Sequence, residues 1–115
     1  MSDDATVQVH DLEDRWAESV GDPLALFEND DPEVQAGWYV IRPGERVPET
    51  GTTSHDGPEL SVILSGEVVL ALPDDGTELV AGPGTFTTIP AGVEHYSENR
   101  ANEPVELVYT VVGSL

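Results

Sequence analysis

Two histidines and one glutamate are the residues of this chain whose chemistry stands out. His55 precedes Glu59 by four residues, and His95 lies in the run GTFTTIPAGVEHYSEN toward the end of the chain. Two imidazoles and one carboxylate make a ligand set that suits Fe(II), Mn(II), Ni(II), Zn(II) or Cu(II) and leaves positions open for water or substrate. Taken singly, either histidine would more often be a surface or hydrogen-bonded residue, so the pattern around each one decides the interpretation.

The run around His95 has a defined spacing, G-x5-P-x-G-x2-H-x3-N, formed by Gly84, Pro90, Gly92, His95 and Asn99. This spacing resembles the second sequence motif of the cupin superfamily at every defined position. The glycines and prolines are turn residues that lead short strands around the corner of a barrel. We expect Asn99 to fix a turn by bonding to the backbone.

The segment SHDGPELSVILSG resembles the first cupin motif. The gap from His55 to Glu59 and the gap from Glu59 to Gly66 both fit that pattern. The chain departs from it at Thr53, where the family has its first histidine. The resemblance extends over residues 34–112, which is most of the chain.

The resemblance implies an all-β fold, a double-stranded β-helix or jelly-roll barrel, preceded here by a short N-terminal helix. It implies that His55, Glu59 and His95 ligate one divalent metal, either Fe, Mn, Ni, Zn or Cu. Thr53 is two residues from His55 and would share its face of a strand, as a pocket residue rather than a ligand. The same alternation places Ser61 and Ile63 on the face of Glu59, as candidate pocket-lining residues.

The implied function is metal-dependent chemistry on a small oxygenated metabolite, of the dioxygenase, isomerase, decarboxylase or lyase type. A metal with open positions can bind a carboxylate, keto-acid or diol and act as a Lewis acid. No catalytic residue stands out beyond the ligands. Two alternatives stay open because of Thr53: a non-catalytic domain that binds or senses a small ligand, and a barrel that has lost its metal.

The charge of the chain is extreme: 23 Asp and Glu stand against 4 basic residues, all of them arginine, for a formal net charge of -19. This charge argues against nucleic acid and anionic membranes as partners. Because acids occur throughout the 115 residues, we expect the cytoplasmic protein of an extreme halophile rather than one acidic docking patch. The chain has no cysteine and no stretch long enough for a membrane span.

The sequence divides into a lead-in, residues 1–33, and a barrel domain, residues 34–115. Within the lead-in, DLEDRWAESVG predicts a short helix, residues 22–32 predict a loop, and His10 is expected to have no fixed structure. Short β segments separated by Gly, Pro and Asp fill the barrel domain, and Asp74-Asp75-Gly76 predicts a hairpin turn. The last strand, ELVYTVV, is apolar on both faces, so we expect a homodimer that covers it.

Overall fold

The computed structural model describes residue 8 and residues 11–113. Within them a short helical segment precedes nine β-strands. The helical segment is a 3₁₀ turn over Glu13–Arg15 followed by α1 over Trp16–Ser19. The strands are β1 Leu24–Asp30, β2 Glu33–Ile41, β3 Arg46–Val47, β4 Glu59–Ser65, β5 Val68–Leu72, β6 Thr77–Ala81, β7 Phe86–Ile89, β8 Tyr96–Glu98 and β9 Val105–Val112.

The strands form two antiparallel sheets. The first sheet has the order β1-β2-β9-β4-β7, and the second has the order β3-β8-β5-β6. Strands far apart in sequence pair within each sheet, as β2 does with β9 and β5 does with β8. The predicted all-β double-stranded β-helix with a short N-terminal helix is confirmed.

The core lies between the two sheets and follows from strand alternation. Every second residue of β9, from Val105 to Val111, is buried, because successive side chains of a strand point to opposite faces. The core also takes Ile41 from β2, Ile63 from β4 and Val68 from β5. The inner face of β9 therefore contributes a continuous row of side chains to the core between the two sheets.

The N-terminal helical segment is shorter than predicted and packs on the outside of the barrel. The Asp11 carboxylate accepts a hydrogen bond from the backbone N–H of Glu13 at 3.1 Å. Trp16 meets Trp38 edge to face, with ring centroids 5.8 Å apart. Trp38 is on β2 and is fully buried, so the segment covers part of the outer face of the first sheet.

The expected loop over residues 22–32 is wrong, because this stretch contains β1. Pro23 and Pro32 flank the strand instead of interrupting it, so neither removes a hydrogen-bond donor from its interior. β1 pairs with β2, so the boundary predicted between the lead-in and the barrel domain, at residues 33 and 34, falls within the hairpin that these two strands form. The strand expected to carry Thr53 and His55 is reduced to a single bridge between Thr53 and His95.

Asn99 fixes the chain after β8, as predicted. It is fully buried and its amide nitrogen donates to the carbonyls of Ile41 and Glu103, at 2.9 and 2.7 Å. Its amide oxygen accepts from the N–H of Ala101 at 3.0 Å. The hairpin turn at 74–76 is also present, whereas His10 lies outside the described residues. No helix in the described part of the chain is long and apolar enough to cross a membrane.

Candidate metal centre

Hydrogen bonds between two loops bring the two sequence motifs together. Thr53 and His95 exchange both backbone N–H···O=C bonds at 2.9 Å. The N–H of Gly92 donates to the carbonyl of His55 at 2.8 Å. His55 therefore lies in a loop anchored to the segment that carries His95, while Glu59 is the first residue of β4.

The three candidate ligands converge on one point. One donor atom from each of His55, Glu59 and His95 lies within 4.8 Å of the other two. The Oε1 atom of Glu59 is 2.9 Å from Nε2 of His55 and 3.7 Å from Nε2 of His95. All three side chains are mostly buried, with 10%, 20% and 5% of the side chain of His55, Glu59 and His95 exposed. This group could hold a metal ion.

The surroundings of His95 fit the role of a metal ligand. Its Nδ1 lies 2.9 Å from the carbonyl of Val93, and because a carbonyl can only accept, Nδ1 carries the proton. In the neutral ring, Nε2 then keeps its lone pair and faces Glu59. Histidines that bind metals commonly have such an outer hydrogen bond, which fixes the tautomer and the ring orientation. The hydroxyl of Ser61 donates to Oε2 of Glu59 at 3.5 Å and steadies the carboxylate in a similar way.

Electrostatics inside the group favour a charged pair when no cation is bound. Burial opposes ionisation of Glu59, but the hydrogen bonds and charges of His95 and His55 outweigh it and lower the pKa of Glu59 below its usual value. Burial also opposes protonation of His95, yet contacts with Glu59 and the Val93 carbonyl raise its pKa. Nδ1 of His55 is buried and has no hydrogen-bond partner among the described residues. The negative charge of Glu59 stabilises a proton on His95, and a divalent cation bound at this site would neutralise the same negative charge.

The three side chains lie at the wall of a cavity of about 220 Å³. Thr53 lines the cavity beside them, as its position two residues before His55 suggests. Most of the remaining wall is apolar. The other lining residues are Pro23, Tyr39, Ile41, Val47, Pro48, Ser97, Leu107, Tyr109 and Val111.

Two residues suggested as pocket-lining from strand alternation are not among the cavity's lining residues. Ser61 and Ile63 do share the inner face with Glu59, but Ser61 is buried beside the carboxylate and Ile63 packs in the core. Sequence reasoning missed Tyr39 and Tyr109, which do line the cavity. The alternation of β9 was a usable signal for Tyr109, since it places this residue on the same face as Leu107.

Comparison with known proteins identifies the family. The sequence profile named for the cupin domain matches residues 37–112, more than half of the chain. The chain belongs to the cupin family. Cupins commonly bind a metal, which agrees with the His55, Glu59 and His95 group. No curated protein sequence matches this cupin.

Solved structures show the same fold at low sequence identity. A double-stranded β-helix domain protein from Klebsiella pneumoniae is 18% identical, with a TM-score of 0.71 over 93% of this chain and 90% of that one. The cupin domain of an XRE family transcriptional regulator from Enterobacter cloacae is 19% identical, with a TM-score of 0.68 over 81% and 96%. The polyketide cyclase RemF from Streptomyces resistomycificus is 21% identical, with a TM-score of 0.62 over 70% and 55%.

Proposed function

We propose that this cupin holds one divalent transition metal through His55, Glu59 and His95 and acts on a small oxygenated metabolite bound in the adjoining cavity. The observation that carries the proposal is the convergence of three donor atoms within 4.8 Å at the wall of a largely apolar cavity. Three protein ligands leave coordination positions open, which is the arrangement of catalytic rather than structural metal sites.

The residues around the centre suit a role in binding and orienting a ligand. A divalent metal here would supply a Lewis acid for an oxygen of the ligand. Glu59 would stay ionised because its pKa lies below the usual value. The apolar walls restrict water, which strengthens every electrostatic interaction inside the cavity. The phenol oxygen of Tyr109 accepts a hydrogen bond from Gln35 at 2.8 Å, so its own proton remains available to a ligand oxygen.

A second candidate function is non-catalytic binding or sensing of a small ligand, and one observation favours it. Apart from the three ligands, the titratable side chains among the cavity's described lining residues are Tyr39 and Tyr109. Burial, followed by the charges of Glu45, Asp22 and Glu49, raises the pKa of Tyr39 to about 12. Burial also raises the pKa of Tyr109. Neither phenol would act as a general base near neutral pH.

The test begins with metal content. Protein purified without a nickel affinity column should contain close to one divalent metal per chain by elemental analysis. Removal of His95 should lower this content well below one per chain, and equal metal in the variant and the unchanged protein would refute the proposal. The metal-loaded protein is then given small oxygenated compounds. Consumption of a compound supports an enzyme, whereas saturable binding without consumption supports the sensing function.

A further inference from the structure

We infer that the cavity beside the metal centre selects a ligand whose part not bound to the metal is uncharged, and that it discriminates against anionic groups in that part. This inference rests on the proposed metal-binding function and narrows it. Ligands with a second anionic group beyond the atoms bound to the metal become poor candidates, and ligands whose remaining groups are neutral become the better ones. The arginines of the chain lie away from the cavity, the groove next to it is acidic, and the polar groups on its wall are uncharged.

The chain has few positively charged residues, and none of them lines the metal cavity. The chain has four arginines and no lysine. Three of the arginines form surface ion pairs: Arg15 with Glu18, Arg42 with Glu45, and Arg100 with both Glu78 and Glu98. None of the four is a lining residue of the metal cavity.

Arg46 precedes the lining residue Val47 in the chain, and its guanidinium is turned away from the metal cavity. It lies over the ring of Tyr96, 3.7 Å from the centroid, and donates a hydrogen bond to the carbonyl of Gly51. Tyr96 directly follows His95 on the chain, so its side chain points to the opposite face of the strand. The charge of Arg46 therefore lies on the outer surface of the second sheet rather than at the wall beside the metal.

A groove next to the metal cavity adds negative charge. An outer groove of about 530 Å³ adjoins the metal cavity and shares Pro23, Tyr39, Val47 and Pro48 with it. Asp22, Glu45 and Glu49 border this groove together with Arg46. Burial is the main cause of the raised pKa of Tyr39, and the charges of these three acids add to it, in keeping with the position of Tyr39 on the shared wall. With three acids against one arginine, the groove beside the metal cavity carries an excess of negative charge.

The polar groups that do face the cavity suit a neutral oxygenated ligand. Thr53, Ser97, Tyr39 and Tyr109 each bring a hydroxyl to a wall that is otherwise apolar apart from the metal ligands. Hydroxyls donate and accept, so they can match alcohol, carbonyl or amide groups. They offer no compensating charge, so a carboxylate that does not coordinate the metal would be buried without a cation, which is strongly disfavoured. At about 30 Å³ per water, 220 Å³ holds about seven waters, which limits the ligand to a small molecule.

The experiment uses two probes with the same metal-binding group and different tails. Imidazole-1-acetamide and imidazole-1-acetate both offer N3 of the imidazole to an open metal position, and their tails on N1 point away from the metal and differ only in charge. Each is titrated into the Co(II)-loaded protein in about 0.1 M and in 2 M KCl, and binding is followed by the visible absorption of the cobalt centre. We expect the amide to bind at least tenfold more tightly at both salt concentrations, because molar salt screens the distant acids but supplies no cation to the wall.

A matched pair of variants tests whether the wall itself sets this preference. Val47 is partly buried and lines both the metal cavity and the outer groove, so a longer side chain at this position can reach the space beside the metal. Val47→Lys should improve binding of the acetate at least tenfold relative to Val47→Met, with little effect on the amide. Equal affinities for the two probes in the unchanged protein, or equal acetate binding by the two variants, would overturn the inference. Failure to bind Co(II) at all would instead refute the proposed metal centre, so the two failures are distinguishable.

Discussion

Replacement of His95 by glutamine is the sharpest test of the metal centre. His95 is 4% exposed, its Nδ1 is held by the Val93 carbonyl, and its Nε2 faces Glu59. Glutamine keeps most of the volume, so the loss of the imidazole can be separated from collapse of the site. We expect a large fall in metal affinity with retention of the fold.

The size of the fall follows from the number of ligands. Structural zinc sites with four protein ligands bind with about 10–16 kcal/mol, or roughly 2.5–4 kcal/mol per ligand. Since about 1.4 kcal/mol is a factor of ten, the loss of one of three ligands should weaken binding roughly 10²- to 10³-fold. The remaining pair, His55 and Glu59, still lies 2.9 Å apart and should retain weak binding.

The assay is competition for Zn(II) against a fluorescent chelator, with far-UV circular dichroism to confirm folding. Glu94→Gln is the matched control, because Glu94 neighbours His95 and contributes charge to it but is not one of the three converging residues. Its affinity should stay within a few-fold of the unchanged protein. A similar small effect from His95→Gln would refute the reasoning, and so would an equally large effect from Glu94→Gln.

Four further predictions follow from the same structure. Thr53 lies directly opposite His95 in a bridge, so Thr53→His should add a fourth donor and slow metal loss to a chelator; release as fast as in the unchanged protein would contradict this. The pKa of His95 is raised above its usual value of about 6.5, so protons begin to compete with the metal for His95 at a higher pH than they would for a free histidine. Zn(II) affinity should therefore fall as the pH is lowered through that range. A constant affinity from pH 8 to 5.5 would be inconsistent with ligation by His95. We propose that the net charge of -19 reflects adaptation to high salt. The melting temperature should rise steeply as KCl increases from about 0.1 M to above 1 M, because the screening length then falls from about 10 Å to about 3 Å. A melting temperature that does not change with salt would favour an acidic docking surface. We also propose a homodimer through the outer face of the first sheet, where Val62 and Phe86 pair across strands and are 36% and 61% exposed. Phe86→Glu should halve the mass measured by light scattering in high salt. A monomeric mass for the unchanged protein would exclude the dimer.

The motif residues could be placed from the sequence because their spacing is tied to local structure. Glu59 begins a strand, Gly92 and Asn99 bond to backbone groups at turns, and the bridge between Thr53 and His95 closes the distance between the motifs. These contacts are made by short segments whose register allows few alternatives. The convergence of three side chains was therefore foreseeable from the pattern around each one.

Other features depend on contacts that the sequence does not display. β1 was missed because its flanking prolines and its acidic end resemble a loop, while its pairing with β2 supplies the stabilisation. Tyr39 belongs to neither sequence motif, and only the position of β2 beside the cavity gives it a place in the wall. Ile63 shares a face with Glu59, but the curvature of the barrel carries it into the core. Alternation gives the face of a strand, whereas position along the barrel axis requires the whole fold.

The contact between Trp16 and Trp38 has a practical consequence for spectroscopy. These are the two tryptophans of the chain, and they meet on the outer face of the first sheet, whereas two of the three tyrosines line the cavity on the inner side. Indole emission will therefore report whether the N-terminal segment is docked, and tyrosine absorbance will report what enters the barrel. The protein carries two separate optical signals, one for each side of the same sheet, without any added label.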